Sequence, residues 1–226
     1  NRMLAREEAT ENLGIVPAGT SGMMFLLAHV RYQFSSKIRA AVDVTFPVTI
    51  KRMGSEKYED LWMEFLATNP PSPRALDDFP AVFMNWFLSI EAPLELQQLL
   101  RFEHILDSHP WTNPKLEIVE LPALEMVENT ILVLPELHIA RFESPVTALF
   151  AGAEVLHVKS PEEVLFWYKE DGVNFHRMEP WERKVLEALP LGVGEALAHA
   201  PEDAETISEF FQWLGGSGLI RAIRSS

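Results

Sequence analysis

The chain has 226 residues, 47% of them hydrophobic and 10% aromatic, enough to bury a core in one large or two modest domains and too apolar for a disordered chain. Nineteen basic residues against 33 acidic ones leave a net charge of -14, which disfavours generic binding to a phosphate backbone. The lack of cysteine excludes disulfides, thiolate nucleophiles and Cys-ligated zinc, and no apolar run reaches the roughly 18 residues that span a bilayer.

The opening NRMLAREEATEN has no signal-peptide core, so a soluble, cytoplasmic protein is expected. Because the chain opens on Asn, an upstream segment is expected to have been trimmed. The first half then reads as helices punctuated by prolines. In SEKYEDLWMEFLATNPP, Tyr58, Leu61, Trp62 and Phe65 fall at i, i+3, i+4 and i+7, with Ser55 as the expected N-cap and a stop before Pro70 and Pro71. Pro80 is expected to start a helix whose apolar face is Phe83, Trp86 and Phe87. PLELQQLLRFEHILDSHPW repeats the pattern with Leu96, Leu99, Leu100, Glu103 and Leu106. These stripes predict an all-α domain over residues 1–112, followed by a linker at 113–125 where the period lapses.

From 126 to 226 the character changes. TILVLPELHIARFES alternates like a strand interrupted at Pro135, EVLHVK is a second candidate, and Val164 to Lys169 with Val173 to Met178 form a hairpin turned by Asp171-Gly172. Three helices follow. One opens at Glu179-Pro180 with Trp181, Val185, Leu186 and Leu189 on one face, and VGEALAHA is short. The last runs from about Asp203 to Leu214, with Ile207, Phe210, Phe211 and Leu214 apolar and GGSG as its stop. The expected fold class is therefore α+β: a helical domain, then a winged-helix-like domain of three strands and three helices.

Chemistry is sparse. His104 and His109 lie beside Glu103 and Asp107, but five residues put them about 140° apart on a helix, so no metal site is expected. No nucleophile elbow, P-loop or dinucleotide motif occurs, and no catalytic residue is assigned. A winged helix raises the question of DNA, which that class reads with its last helix. Here that helix carries Glu202, Asp203, Glu205 and Glu209 without a Lys or Arg, and residues 126–226 hold 8 basic against 16 acidic side chains, a net of -8. Arg31, Lys37, Arg39, Lys51, Arg52 and Lys57 against Asp43 and Glu56 give a local net of +4, either a solvated helix face or a docking surface for an acidic partner protein. The alternative to peptide recognition is a winged-helix DNA-binding transcriptional regulator. A free sheet edge, by contrast, can accept an extended peptide as a further strand. Val173, Phe175 and Arg177 would face one side of the last strand, Asn174 and His176 the other, with Ile207, Phe210, Phe211 and Leu214 lining the adjacent groove.

Two resemblances carry the reading further. YKEDGVNFHRMEPWERKVLEALPLGVGEALAHAPEDAETISEFFQWLGGSGLI resembles the PqqD-like leader-recognition element of ribosomal-peptide modification systems. AAVDVTFPVTIKRMGSEKYEDLWMEFLATNPPSPRALDDFPAVFMNWFLS is similar to the N-terminal domain of the HvfC/BufC family of peptide-modification chaperones. The matching landmarks are Phe46-Pro47, Met53-Gly54, Tyr58, Pro70 to Pro73, Phe79-Pro80 and Phe87-Leu88, and Glu103 falls where the family tends to carry an acid. The resemblance implies a heterodimer with a TIM-barrel, multinuclear iron-dependent oxidative enzyme. It implies no cofactor on this chain, the iron residing in the partner. It also implies capture of a precursor leader peptide and delivery of its core for modification, of cysteines in the methanobactin branch. A DNA-binding label attached to the family's N-terminal domain is at odds with this chain's charge.

Overall fold

The computed structural model describes residues 21–69, 78–108, 130–133, 137–154, 160–169, 172–201, 203–219 and 222–225. The fold is α+β, and the chain divides into two compact units, Asn1–His104 and Ile105–Ser226. The expected linker at 113–125 lies outside the described residues.

The first unit is built from α1 (Ser21–Thr45), α2 (Pro47–Met53), α3 (Ser55–Thr68), α4 (Phe79–Ser89) and the greater part of α5 (Leu94–Ser108). Its core is aromatic. Phe83 is fully buried, with ring centroids from 5.2 Å (Phe65) to 6.4 Å (Tyr58), and Phe46, Trp62, Trp86 and Phe87 lie between these limits. The predicted stripes supply it: Tyr58, Trp62 and Phe65 from α3, Phe83 and Phe87 from α4, Leu100 from α5. Ser55 is not the cap of α3. Gly54 is, at φ +84°, and a Cβ built there would meet nothing within 4 Å, so the backbone angle and not space calls for glycine. α3 stops at Thr68, and the prolines expected to stop it lie outside the described residues.

α2 has no cap of its own. Phe46, its N-cap residue, makes no side-chain bond, and Pro47 contributes no N–H. The carboxylate of Glu103, 2% exposed on α5, takes that role: it accepts the Val48 N–H at 2.7 Å, the Thr49 N–H at 2.9 Å and the Thr49 hydroxyl. The acid on the apolar stripe of α5 is therefore a cap donated across 54 residues.

In the second unit, β2 (His138–Phe142), β3 (Glu162–Lys169) and β4 (Gly172–Met178) form an antiparallel sheet in that order. Helices α7 (Pro180–Ala188), α8 (Val193–Leu197) and α9 (Ala204–Gly216) follow. Leu165 and Trp167 of β3 join Val185, Leu186, Val193 and Leu214 of these helices in one core, as three helices covering one sheet face require. The other face is covered too: Val164 and Phe166 are fully buried, and a short helix, α6 (Val146–Phe150), sets Phe150 edge-on to Phe175 at 5.7 Å. Residues 155–159, the bulk of the strand expected at EVLHVK, lie outside the described residues. The single interrupted strand expected around Pro135 is instead two strands in different sheets. β1 (Thr130–Val133) pairs with the unforeseen β5 (Ala222–Ser225), and β2 joins the larger sheet.

α6 repeats the device at α2. Pro145-Val146-Thr147 opens it as Pro47-Val48-Thr49 opens α2, and a buried glutamate again completes the turn. Glu162 of β3 accepts the Thr147 N–H at 2.7 Å and its hydroxyl at 3.0 Å.

Candidate functional site

β4 is the last strand of its sheet and has one ladder partner, β3, among the described residues. Lys169 pairs with Gly172, so two residues, Glu170 and Asp171, connect the strands. The expected turn pair, Asp171-Gly172, is thus displaced by one: Gly172 belongs to the strand, at φ +135°. This register fixes where each backbone group points. A two-residue connection is closed by a pair that exchanges both ladder bonds, because the other class of pair would have to bond within the connection itself. Bonded and non-bonded pairs then alternate. Asn174 opposite Trp167, and His176 opposite Leu165, direct their N–H and C=O groups to β3. Val173, Phe175 and Arg177 direct theirs away from it.

Side chains alternate as expected. Asn174, His176 and Met178 share the helix-covered face, and Val173, Phe175 and Arg177 share the face of α6. His176 is held firmly. Its Nε2 lies 3.2 and 3.1 Å from the two carboxylate oxygens of Glu182, and its ring centroid is 4.3 Å from that of Trp213 on α9. Glu182 is buried and also accepts the Glu179 N–H at 2.7 Å, completing the capping box that starts α7. Asn174 turns its amide to the Gly172 carbonyl at 3.2 Å. On the opposite face the Arg177 side chain is 59% exposed, with its Nε 3.8 Å from the buried Glu162, whose oxygens already receive Thr147.

The apolar residues expected to line the groove divide. Phe210 and Leu214 are buried core. Phe211 packs partly buried against that core, and Ile207 is half-buried. The aromatic nearest the strand is Trp213, stacked on Phe210 at 5.6 Å and edge-on to Trp167 at 5.6 Å. Glu182 was not foreseen as a partner of His176; the Glu-x-x-Glu spacing from Glu179 is the signal that marks it.

The basic residues expected to dock a partner do not form one stripe. Lys37 and Arg39 are two residues apart on α1, about 200° around the axis. Arg39 is bound internally, to Glu59 at 2.8 Å and Asp43 at 3.7 Å, with its guanidinium 5.1 Å above the Tyr58 ring. Lys37, Lys51 and Lys57 are exposed, Arg52 is half-buried, and the Arg31 side chain lies outside the described residues. His104 stacks on Phe46 at 6.3 Å, and His109 lies outside the described residues. Among the described residues no cluster of three His, Cys, Asp or Glu is grouped as a metal site, and no helix is long and apolar enough to cross a membrane. The chain matches no protein-family model, and no curated protein is significantly similar to it.

Proposed function

We propose that this chain is a non-catalytic partner subunit in ribosomal-peptide natural product biosynthesis. It binds a precursor leader by strand addition and presents the core to an iron-dependent oxidative enzyme. The observation that carries the reading is the edge of β4, where backbone groups of Val173 and Arg177 point away from β3 beside the aromatic surface of α9. The order β2, β3, β4, α7, α8, α9 supports a winged-helix-like, PqqD-like arrangement for the second unit, and the iron is the partner's. DNA binding is the weaker reading, since α9 and its cap display Asp203, Glu205 and Glu209 to solvent.

The test is fluorescence anisotropy with a labelled leader from a Cys-bearing precursor encoded beside an iron-enzyme gene. Val173→Pro removes a donor that points away from β3 while leaving the ladder to β3 intact. Asn174→Pro breaks the hairpin itself and serves as the unfolding control. Loss of one such bond weakens binding by about tenfold. Leader affinity unchanged in Val173→Pro overturns the assignment.

A further inference from the structure

We infer that β1 is a strand-acceptor site with β5 as its resident internal ligand, and that a basic extended peptide from another molecule takes the place of β5. The inference goes beyond leader capture at β4 and does not depend on it. β1 and β5 form an antiparallel sheet of their own, four pairs long, with Thr130 opposite Ser225 and Val133 opposite Ala222. A two-stranded sheet of this length is marginal unless something packs on it. The two strands differ in that support. β1 also lies against α8, whereas among the described residues no element but β1 packs as extensively on β5. β1 therefore keeps its place when the pair opens, and β5 is the strand that leaves.

Charge says what replaces it. Residues 126–219 hold 6 basic against 16 acidic side chains, while 220–226, IRAIRSS, carry Arg221 and Arg224 and no acid. The segment that contains β5 is thus cationic within a strongly anionic unit, and the same field draws in other basic chains. An incoming strand makes the ladder bonds that β5 gives up, so exchange conserves hydrogen bonds and is decided by register and charge. Against a resident strand, the apparent affinity of the newcomer is lowered by the fraction of chains in which β1 is free. β5 accordingly sets a threshold, and peptides that pair no better than it does stay out.

The chain has no cysteine, so one engineered disulfide can lock the pair without competing thiols. Leu132→Cys with Ile223→Cys joins residues directly opposite in register, at a Cα separation that a disulfide spans. The probes are fluorescein-labelled IRAIRSS and its charge-reversed form IEAIESS, read by anisotropy on the oxidised and the reduced chain. The reduced chain is expected to bind IRAIRSS, the oxidised chain to bind it about tenfold more weakly or worse, and both to bind IEAIESS less well. Truncation after Leu219 is expected to tighten IRAIRSS by about tenfold or more, because the resident strand is gone. No binding by the reduced chain, equal binding by the two redox states, or no preference for IRAIRSS over IEAIESS overturns the inference. The redox comparison decides the matter if the truncated chain fails to fold. Dimerisation of the reduced chain that excess IRAIRSS does not reverse puts the β5 of a second copy on β1 and overturns the peptide as occupant.

Discussion

Replacing Glu103 by alanine tests whether a single acid on α5 holds the start of α2. A bond to a charged acceptor contributes about 1.5–3 kcal/mol. Three donors meet this carboxylate, from Val48 and twice from Thr49. Thr49 is fully buried, so its N–H and hydroxyl gain no water when the acceptor goes, whereas the half-buried Val48 can rehydrate its N–H. The two unrecovered bonds put the cost of Glu103→Ala at about 3–6 kcal/mol. Amide hydrogen exchange of Val48 and Thr49 reads it directly, and both are expected to exchange several hundredfold faster or more. Glu103→Gln keeps the shape but turns an amide NH2 toward a donor, at about 1–3 kcal/mol.

Protonation supplies a second test. Burial, the larger influence, raises the Glu103 carboxyl above the ordinary glutamate range, while the bonds from Thr49 and Val48 pull it back only in part. The folded state thus binds the proton more tightly than the unfolded chain. The stability from this difference is fully present below the unfolded value and is lost as pH rises through the raised folded one. Urea denaturation of Glu103→Gln across that interval is expected to show a flatter pH dependence than wild type. Wild-type exchange at Val48 and Thr49 in Glu103→Ala, or an unchanged slope in Glu103→Gln, refutes the cap.

Tyr58 is 3% exposed and donates its hydroxyl to Asp43, and burial first, then that bond, push the phenol well above the usual tyrosine range. The difference in alkaline phenolate absorbance between wild type and Tyr58→Phe should therefore be silent near the ordinary tyrosine value of about 10, and Tyr58→Phe should lose about 1 kcal/mol; a phenolate step there in the difference would contradict this. Asp203 caps α9, accepting the Thr206 hydroxyl and the Glu205 N–H, and these bonds hold its carboxyl below the ordinary range. Its contribution is present above the unfolded value and is lost as pH falls through the depressed one, so the first turn of α9 should fray in acid. Asp203→Ala should fray it at all pH, visible as faster exchange at Glu205 and Thr206, and a protected first turn would count against the cap.

What was legible in the sequence was local. The stripe of α3 and the strand alternation of β3 and β4 are set by neighbours a few residues apart, and they appear where their periods place them. The start of α7 was readable because Glu179 and Pro180 carry their own signal. What escaped was carried by distant partners or by elements too short to show a period. α6 has five residues, and its cap comes from Glu162 on the next strand. The Asp-Gly pair misplaced the turn by one residue because two different registers satisfy that dipeptide, and only the pairing of Lys169 with Gly172 chooses between them. At the candidate site the strand could be named, but the clamp of Glu182 and Trp213 on His176 joins three elements that periodicity treats one at a time.

The cover on both faces of β3 has a consequence for error. A sheet with one wet face checks only every other residue of a strand that joins it, so a shift by two positions meets the same chemistry again. In β3 both side-chain sets are buried, Val164 and Phe166 toward α6 and Leu165 and Trp167 toward the three helices, so both are inspected at once. A slip of β3 by one residue exchanges the two sets, and a slip by two carries Glu162 off the Thr147 groups that it caps. The two covers therefore act as a frame check: they fix where along its length the strand is gripped, as well as whether it is gripped.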